Sequence, residues 1–441
     1  MKGHIQIELK NEKSGKVDVY EQDNMVTSAV AKVLGLVTNT CGSGDVSGNP
    51  MYNLLPIGEK ALGGIFLFDG KLEESADNVH FPMDVHLTGS AGHEANTESK
   101  LIGSLNVAES GRTDAGYVNT WEFTTAQANG VIASLALTHC RGGADPFNQT
   151  IYPVFYAYSE EAYIPIAHNT RESMIYLYKD GKVYSKHIYG NVIRVGSPYF
   201  EETKEIFDFA FANPTYSSWQ ISDGYDGYLY AVYFIGSDTP KTINIRVRKV
   251  KIADSSFREE SEQSFSVDNI MPCSSRISTS SNARFNRLCA ISKGYLYVIR
   301  IDKKAVYKID LSNIADVKEI EFEDKEIVYI NPRYSGGIFA QFKWKTIGSS
   351  GKIEDAYGFG TVYPDGKYLC TEKPLSTSER YSCDHVGTEG DNLCMNSTYN
   401  GAERIAYGYF ANYLGTICNL SSPVVKTSEQ SMKITYTLTD V

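Results

Sequence analysis

The sequence predicts a mainly β protein in which the two chain ends form one β-rich domain and the middle forms an inserted β-propeller-like domain. Near both ends of the 441-residue chain, apolar and polar residues alternate, as they do in half-buried strands. In the middle, aromatic segments alternate with glycine-containing turns, and the phrase Gly-Tyr-Leu-Tyr occurs at residues 227 and 294. Repeated hairpins are typical of propellers, whose blades are four-stranded sheets. A two-sheet β-sandwich is the alternative.

Composition excludes several classes of protein. The chain carries 42 Lys and Arg against 53 Asp and Glu, a net charge of −11. This balance argues against nucleic acid as a partner, because duplex binding depends on neutralising phosphates. No apolar run approaches the roughly 18 residues of a membrane helix, and residues 1–8 contain no export segment, so membrane insertion is not expected. The 8 cysteines form no Cys-x-x-Cys pair, which argues against zinc-ribbon and thioredoxin sites. The long chain and the lack of an export signal favour free thiols over disulfides. Cys383 and Cys394 are the pair most worth testing for a disulfide.

The first domain is predicted to begin with a hairpin followed by a helix. Residues 5–9 alternate between apolar and polar, turn residues occupy 11–15, and alternation resumes at 17–20. Asn24 suits an N-cap, and apolar residues at spacings of three and four predict a helix over 25–37.

A second hairpin is predicted further along the first domain. Its strands would be 121–123 and 131–137, because the Ala-Asn-Gly at 128–130 suits a turn that needs positive φ. The breaker cluster at 141–146 then places the domain end at residue 145.

Residues 146–404 contain the repeated hairpins, and about 250 residues would hold five or six blades of roughly 40 to 50 residues. After them, apolar residues at 432–438 alternate with Lys and Thr, which predicts a half-buried strand. This strand must pair, because an exposed apolar edge promotes aggregation. We therefore expect 405–441 to fold back and complete the domain of residues 1–145, with 5–9 as the partner of 432–438.

Three groups of phrases, two near the start of the chain and one at its end, carry a family resemblance. They are Gly63-Gly-Ile-Phe-Leu-Phe-Asp-Gly70 with Phe81-Pro82; Gly103-Ser-Leu-Asn106 through Gln127-Ala-Asn-Gly130 to Ser134-Leu-Ala-Leu-Thr-His139; and Ser422-Pro-Val-Val-Lys-Thr427 with Met432-Lys-Ile-Thr-Tyr-Thr-Leu438. Over about 1–140 and 405–441, the chain resembles tail-tip or tail-fibre (receptor-binding type) structural proteins of tailed bacteriophages and phage-like particles of Gram-positive bacteria. The match is one of phrases, not of catalytic motifs.

The resemblance implies a role for each domain. The terminal domain would be an attachment domain that binds other tail or baseplate proteins, and the middle domain would bind a bacterial cell-surface receptor, expected to be a glycan. The protein would be a homo-oligomer in the virion tail, assembled in the bacterial host cytoplasm, where free cysteines are normal. It would be no enzyme and need no cofactor. A glycan-cleaving propeller enzyme and a purely architectural tail or baseplate subunit are the alternatives.

Five aromatic residues are the candidate receptor-binding residues. Rings near glycine-rich breaks can stack on sugar faces while tyrosine hydroxyls bond the sugar edge. The candidates are Trp219, Tyr225, Tyr228, Trp344 and Tyr357. The competing interpretation of each ring is that it packs in the core or in a cross-strand pair.

Histidines and turn carboxylates provide no metal assignment. The spacings in the His-rich loop match no named metal site. That loop contains Asp77, His80, Asp84, His86 and His93. The segment Asp223-Gly-Tyr-Asp-Gly227 lacks the spacing and terminal Glu of a calcium loop, and Asp-Gly is common in tight turns.

Acidic pairs provide no catalytic assignment. The pairs at 201–202, 259–260 and 354–355 are adjacent in sequence, so on strands their side chains point to opposite faces. Glycoside hydrolysis instead needs two carboxyl groups that flank one sugar. The sequence contains no Gly-x-Ser-x-Gly elbow, Walker loop or His-Glu-x-x-His motif, and no catalytic residue is predicted.

Overall fold

The computed structural model describes most of the chain. It describes residues 2–30, 55–146, 150–157, 174–179, 182–187, 192–196, 203–208, 217–224, 226–235, 242–253, 256–271, 289–333, 335–348, 351–370, 385–389, 392–399 and 402–439. In the strands between 150 and 223 and between 385 and 410, the description covers the backbone only.

The chain divides into two compact units. One contains Met1–Phe155 together with Gly408–Val441, and the other contains Tyr156–Tyr407. The middle of the chain is therefore inserted into a unit that both ends build. The divisions fall at residues 155 and 408, whereas the sequence analysis predicted them at 145 and 405.

The unit built from both ends, called here the barrel-like unit, rests on one ten-stranded sheet. Its strands are β1 (Lys2–Asn11), β2 (Val17–Val26), β3 (Gly64–Phe68), β4 (Leu87–Ala91), β5 (Ser104–Leu105), β6 (Gly111–Thr113), β7 (Gly116–Phe123), β8 (Gly130–Thr138), β29 (Thr416–Lys426) and β30 (Gln430–Thr439). The strand order is β4-β3-β8-β29-β2-β1-β30-β7-β5, with β6 paired to β7. A short helix, Cys140–Ala144, follows β8.

The two ends of this sheet nearly meet. Ser90 in β4 forms a parallel bridge with Ile102, which lies just before β5. The Ser90 amide donates to the Leu101 carbonyl at 3.1 Å, and the Gly103 amide donates to the Ser90 carbonyl at 2.8 Å. The sheet is therefore nearly closed into a barrel, and these bonds satisfy backbone groups that an open edge would expose.

The predicted fold-back of the chain end is confirmed. β1 and β30 are antiparallel neighbours, and Ile5 lies opposite Tyr436, with Ile7 opposite Ile434. All four side chains are buried in the core of the barrel-like unit. Full burial of an aliphatic side chain stabilises a fold by roughly 1.5–3 kcal/mol, so the alternating pattern of β30 fixes both its face and its partner.

The predicted helix start at Asn24 is wrong. β2 continues to Val26, where Met25 and Val26 pair with Ile417 and Thr416 of β29. The pairing provides hydrogen-bond partners for backbone groups that would lack partners at the start of a helix. Tertiary context therefore overrides the local N-cap signal at Asn24. Helical structure begins at residue 29, and the predicted helix beyond residue 30 lies outside the described residues.

The predicted hairpin between 121–123 and 131–137 is also wrong, although both strands exist. β7 pairs with β30, β5 and β6, whereas β8 pairs with β3 and β29. β30 occupies one edge of β7 and β29 occupies one edge of β8, and the nearby strands β5, β6 and β3 occupy the other edges, so no edge is left for the predicted hairpin. The segment at 128–130 therefore connects two separate parts of the barrel-like sheet.

The inserted unit, called here the propeller-like unit, contains five four-stranded sheets in the described part of the chain, and its first and last strands run across the divisions at 155 and 408. Its strands are β9 (Thr150–Ala157), β10 (Met174–Lys179), β11 (Lys182–His187), β12 (Val192–Gly196), β13 (Thr203–Asp208), β14 (Ser217–Asp223), β15 (Tyr228–Ile235), β16 (Thr242–Ala253), β17 (Ser256–Asp268), β18 (Cys289–Ser292), β19 (Tyr295–Ile299), β20 (Ala305–Asp310), β21 (Asn313–Glu321), β22 (Glu326–Pro332), β23 (Ile338–Ile347), β24 (Ile353–Val362), β25 (Tyr368–Cys370), β26 (His385–Glu389), β27 (Asn392–Tyr399) and β28 (Ala402–Phe410).

The arrangement of these sheets confirms the propeller-like prediction over the sandwich. Four sheets consist of consecutive strands, β10–β13, β14–β17, β18–β21 and β22–β25. Their first strands contact one another in sequence, and β10 also contacts β26. The fifth sheet has the order β26-β27-β28-β9, so the strand that enters the insertion completes its last sheet. Radial repetition of short sheets is the propeller architecture.

Neighbouring sheets of the propeller-like unit share apolar cores. Along β19, Leu296 and Val298 pack into the core shared with β15 and β16. Tyr297 and Ile299 pack into the core shared with β22 and β23. β19 is buried on both faces, which explains why its sequence is a continuous apolar run and not an alternating one.

Candidate functional site

The five aromatic candidates are distributed along strands and turns of the propeller-like unit. Tyr225 lies outside the described residues. Trp219 lies in β14 opposite Tyr233 of β15, and its side chain is outside the description. Tyr228 begins β15, and the last two candidates lie in the β22–β25 sheet, at position 344 in β23 and position 357 in β24.

One face of the Tyr228 ring is covered by a lysine. Lys249 Nζ lies 3.8 Å from the ring centroid, and the Tyr230 ring meets Tyr228 edge-on at 6.4 Å. The same arrangement recurs one sheet further on, where Lys308 Nζ lies 3.9 Å from the centroid of Tyr295. Each is the first tyrosine of a Gly-Tyr-Leu-Tyr phrase, so in these two sheets the repeated phrase places the ring of a cation–π pair at the start of the second strand.

Trp344 and Tyr357 point to opposite faces of the β23–β24 pair. Trp344 lies opposite Ala356, whereas Tyr357 lies opposite Lys343. Successive side chains on a strand alternate between faces, so the two rings are separated by the sheet. Trp344 packs against the core shared with the preceding sheet, and Lys325 Nζ lies 5.4 Å from its ring centroid. A ligand on one face of this pair therefore meets one of these rings only.

β23 and β24 extend beyond their neighbours as a two-stranded projection, called here the tip ribbon (residues 344–347 and 353–356). The pairing of β22 with β23 ends at Lys343, and β25 pairs only with residues 360–362 of β24. At the end of the ribbon, Ile347 lies opposite Ile353, and the two residues are 74% and 73% exposed. Adjacent large apolar side chains on a projection favour a binding role over a packing role.

An ion-paired carboxylate lies behind this apolar tip. Asp355 contacts Lys345 Nζ at 2.6 Å and Lys343 Nζ at 3.0 Å. The hydrogen bonds from Lys345 and Lys343 lower the pKa of Asp355, and the bond to Asp355 raises the pKa of Lys343. By register, both lysines, Asp355 and Tyr357 share the face of the β23–β24 pair that carries Ile347 and Ile353.

The acidic pairs do not assemble a hydrolytic site in the described residues. Glu354 and Asp355 are neighbours on β24 and point to opposite faces, and Asp355 is held by two lysines. The side chains at 201–202 and 259–260 lie outside the description.

No group of three or more His, Cys, Asp or Glu that could hold a metal ion occurs in the described ranges. In the 223–227 turn, the Asp226 carboxylate accepts the Tyr230 hydroxyl at 2.6 Å and the Tyr228 amide at 3.2 Å. In the His-rich loop, His86 Nδ1 lies 3.1 Å from Asp69. Asp226 therefore satisfies the tight-turn interpretation of this segment.

The described cysteines are free thiols in buried or half-buried positions. They are Cys140, Cys289, Cys370 and Cys418. Burial raises the pKa of Cys140 to about 11 and that of Cys418 to about 12, so both thiols stay protonated at neutral pH. The candidate disulfide between positions 383 and 394 lies outside the described side chains. None of the helical segments within the described ranges has the length and apolarity needed to span a bilayer.

Lys426 is a buried cation that the sequence analysis missed. The inward face of β29 carries Val424 and Lys426, whereas Val425 between them is exposed. Lys426 is 1% exposed, and its Nζ donates to two neutral acceptors, the Thr124 carbonyl and Asn129 Oδ1, both at 2.9 Å. Burial lowers the pKa of Lys426 from 10.5 to about 8. The sequence signal that could have identified Lys426 as buried is its position two residues after Val424, on the same face of a strand.

These features define a mainly β protein with a propeller-like unit inserted into a nearly closed, barrel-like sheet. No family model and no curated protein matches the chain. Among solved structures, it is similar to virginiamycin B lyase from Staphylococcus aureus, with 10% identity over 58% of this chain and 97% of that one, and a TM-score of 0.25. A streptogramin B lyase is similar at 11% identity over 64% and 96%, with a TM-score of 0.26. Puromycin hydrolase is similar at 11% identity over 69% and 42%, with a TM-score of 0.28. These distant similarities say nothing about activity.

Proposed function

We propose that this protein is a receptor-binding structural protein of a phage tail or phage-like particle. Its barrel-like unit attaches to other tail or baseplate proteins, and its propeller-like unit binds a bacterial cell-surface glycan. The observation that carries this proposal is the pairing of β1 with β30 from Lys2 to Asn11. Nearly all of the residues that resemble tail proteins, 1–140 and 408–441, thereby belong to one unit. The sequence of the inserted unit can therefore vary without altering the strands of the barrel-like unit.

The tip ribbon is the part of the propeller-like unit that we expect to contact the receptor. One face of it presents Ile347 and Ile353, and the half-buried Tyr357 lies on the same face at the base of the ribbon. Lys345 and Asp355 lie between the isoleucines and Tyr357 by register. A sugar has an apolar ring face and polar edges, and an aromatic ring beside charged hydrogen-bonding groups matches both. Of the predicted aromatic candidates, Tyr357 is the one on this face.

A binding experiment with the full-length protein tests the glycan-binding part of the proposal. Labelled protein is incubated with cell envelopes from a panel of Gram-positive bacteria, before and after chemical removal of surface glycans. On the envelope that binds best, substitution of both Ile347→Ser and Ile353→Ser is expected to weaken binding roughly tenfold, or about 1.4 kcal/mol. Val107→Ser is the matched control, because Val107 is 74% exposed in the barrel-like unit.

The outcomes separate binder, enzyme and spacer. Retention that depends on glycan and on the ribbon, without released sugar, supports the proposal. Release of soluble sugar would make the protein a glycan-cleaving enzyme, and neither retention nor release would leave a purely architectural subunit. Attachment is tested separately by following the protein in purified particles; a protein that is only ever recovered as an isolated monomer would overturn the particle assignment.

A further inference from the structure

The Asn129 carboxamide is held in one orientation beside the buried Lys426. Its Oδ1 accepts a hydrogen bond from the Lys426 ammonium, and its Nδ2 donates to the Thr125 carbonyl at 2.9 Å. An ammonium group can only donate, so the amide atom that faces it must be the oxygen. Asn129 itself is exposed, so water reaches the carboxamide from outside while the cation contacts it from inside.

The next residue leaves the backbone nitrogen unshielded. Gly130 has φ +145, a conformation that favours glycine, and the absence of a Cβ removes steric hindrance at its amide nitrogen. Gly130 also lies directly opposite Lys426 in the β8–β29 register. The strand pairing therefore keeps the lysine head group at this Asn-Gly step.

We propose that Asn129 is a site of spontaneous deamidation assisted by Lys426, and that the aspartate formed becomes the counter-ion of this buried lysine. The ammonium polarises the Cγ–Oδ1 bond, which makes Cγ more electrophilic and stabilises negative charge that develops on Oδ1. The proposal is independent of the receptor-binding function.

The reaction needs water as its only co-reactant. The Gly130 backbone nitrogen attacks Asn129 Cγ, a nitrogen–carbon bond forms, and the bond from Cγ to Nδ2 breaks. Nδ2 leaves as ammonia and takes the proton of the Gly130 amide with it. Water then opens the cyclic imide at Cγ to produce aspartate; the net change is amide plus water to carboxylic acid plus ammonia.

The surroundings favour one of the two products of ring opening. Opening at the backbone carbonyl would insert a methylene into the main chain next to Gly130, where β8 begins to pair with β29. Opening at Cγ preserves that pairing and places a carboxylate beside Lys426. The present acceptors of Lys426 are both neutral, and a carboxylate would supply the opposite charge that a buried cation needs, so this product stabilises the lysine in its buried position.

Peptide mapping of the full-length protein tests the reaction itself. Fresh protein is incubated at neutral pH, where Lys426 is still an ammonium, folded in one arm and unfolded in urea in the other. The chain contains a second Asn-Gly step, Asn400-Gly401, whose conversion in urea reports the intrinsic rate. We expect Asn129 to convert several-fold faster in the folded protein than in urea, and mainly to aspartate.

Two results of this mapping would overturn the proposal. One is an Asn129 that remains an amide in the folded protein while it converts in urea. The other is loss of ammonia without addition of water and with Lys426 in a cross-linked peptide, which would mean that the lysine and not the glycine had attacked Cγ.

Variants test the assisting role of the lysine. Lys426→Met removes the ammonium while keeping a long unbranched side chain, and is expected to slow conversion of Asn129 several-fold in the folded protein, with Asn400 unchanged. Asn129→Asp is expected to raise the midpoint of thermal unfolding, and this rise should vanish in the Lys426→Met background. An equal shift of the unfolding midpoint by Asn129→Asp in the presence and absence of Lys426 would contradict the counter-ion role. This comparison does not depend on measuring the deamidation rate of Lys426→Met.

Discussion

The barrel-like and propeller-like units bury their strands in different ways. In β30, Ile434 and Tyr436 are fully buried while Thr435 between them is only half-buried, so the strand has one core face. In β19, Leu296 and Tyr297 are successive residues and both are fully buried, each in a different core. The sequence of a one-faced strand reveals by alternation which residues face the core, whereas the sequence of a strand buried on both faces reveals only that it is buried.

The largest expected effect sharpens this comparison in the barrel-like unit. Ile434→Ala should lower the free energy of unfolding by about 2–5 kcal/mol, because Ile434 lies between Ile7 and Trp121 in the register and the cavity cannot close easily between paired strands. Thr437→Ala, on the outer face of the same strand, should change it by less than about 0.5 kcal/mol. Urea unfolding measures both, and equal losses would contradict a one-faced β30.

The next effect depends on pH and concerns the only inward-pointing lysine of the described part of β29. The pKa of Lys426 is lowered to about 8 in the folded protein, whereas in the unfolded chain it returns to 10.5. Between these values the unfolded state binds more protons, so the contribution of Lys426 to stability rises as pH increases from about 8 to 10.5, by roughly 2–3 kcal/mol.

The difference in stability between the unsubstituted protein and Lys426→Met isolates this rise. Cys140 and Cys418 have raised pKa values and oppose the trend at alkaline pH, but both proteins share them. Unfolding is followed from neutral to alkaline pH with protein whose Asn129 is shown by mass to be an amide. A difference that stays flat with pH would mean that Lys426 is not titrating in a buried position.

The same contrast explains what the sequence could predict. The pairing of β30 with β1 was predictable because one-sided alternation identifies both a face and a need for a partner. The hairpin between β7 and β8 was mispredicted because the signal at 128–130 is local, whereas one strand that pairs with each of them, β30 with β7 and β29 with β8, lies about 300 residues away in sequence. No local rule weighs such distant competitors.

The candidate site shows a second limit. Composition could nominate Trp344 and Tyr357, but only the register of β23 with β24 reveals that they point to opposite faces. Likewise, lysines are rarely buried, so nothing in composition marks Lys426, although its position two residues after Val424 places it on the inward face of β29. The propeller-like class was predictable from repeated hairpins, because a repeat in the sequence can be recognised without knowing which sheets are neighbours.

The smallest expected effect has opposite signs in the two units. The Tyr413 hydroxyl in the barrel-like unit donates to the Ala61 carbonyl at 2.6 Å. The Tyr297 hydroxyl in the propeller-like unit is buried, has no hydrogen-bond partner among the described residues, and has a pKa that burial raises. Tyr413→Phe should therefore lose about 0.5–1.5 kcal/mol of stability. Tyr297→Phe should be neutral or stabilise the protein by up to about 1 kcal/mol, because it removes a hydroxyl that gave up its hydrogen bonds to water on folding and gained none in the protein.

Calorimetry of the two phenylalanine variants measures this difference in sign, since each substitution removes one oxygen and leaves the ring in place. The comparison is internally matched: both rings are fully buried, and both lie in strand-rich cores. A loss of stability in Tyr297→Phe equal to that in Tyr413→Phe would show that the Tyr297 hydroxyl is hydrogen-bonded after all. The faces of β19 would then be specified by polar contacts between sheets as well as by apolar packing, which would bring the two units closer in how they fix their strands.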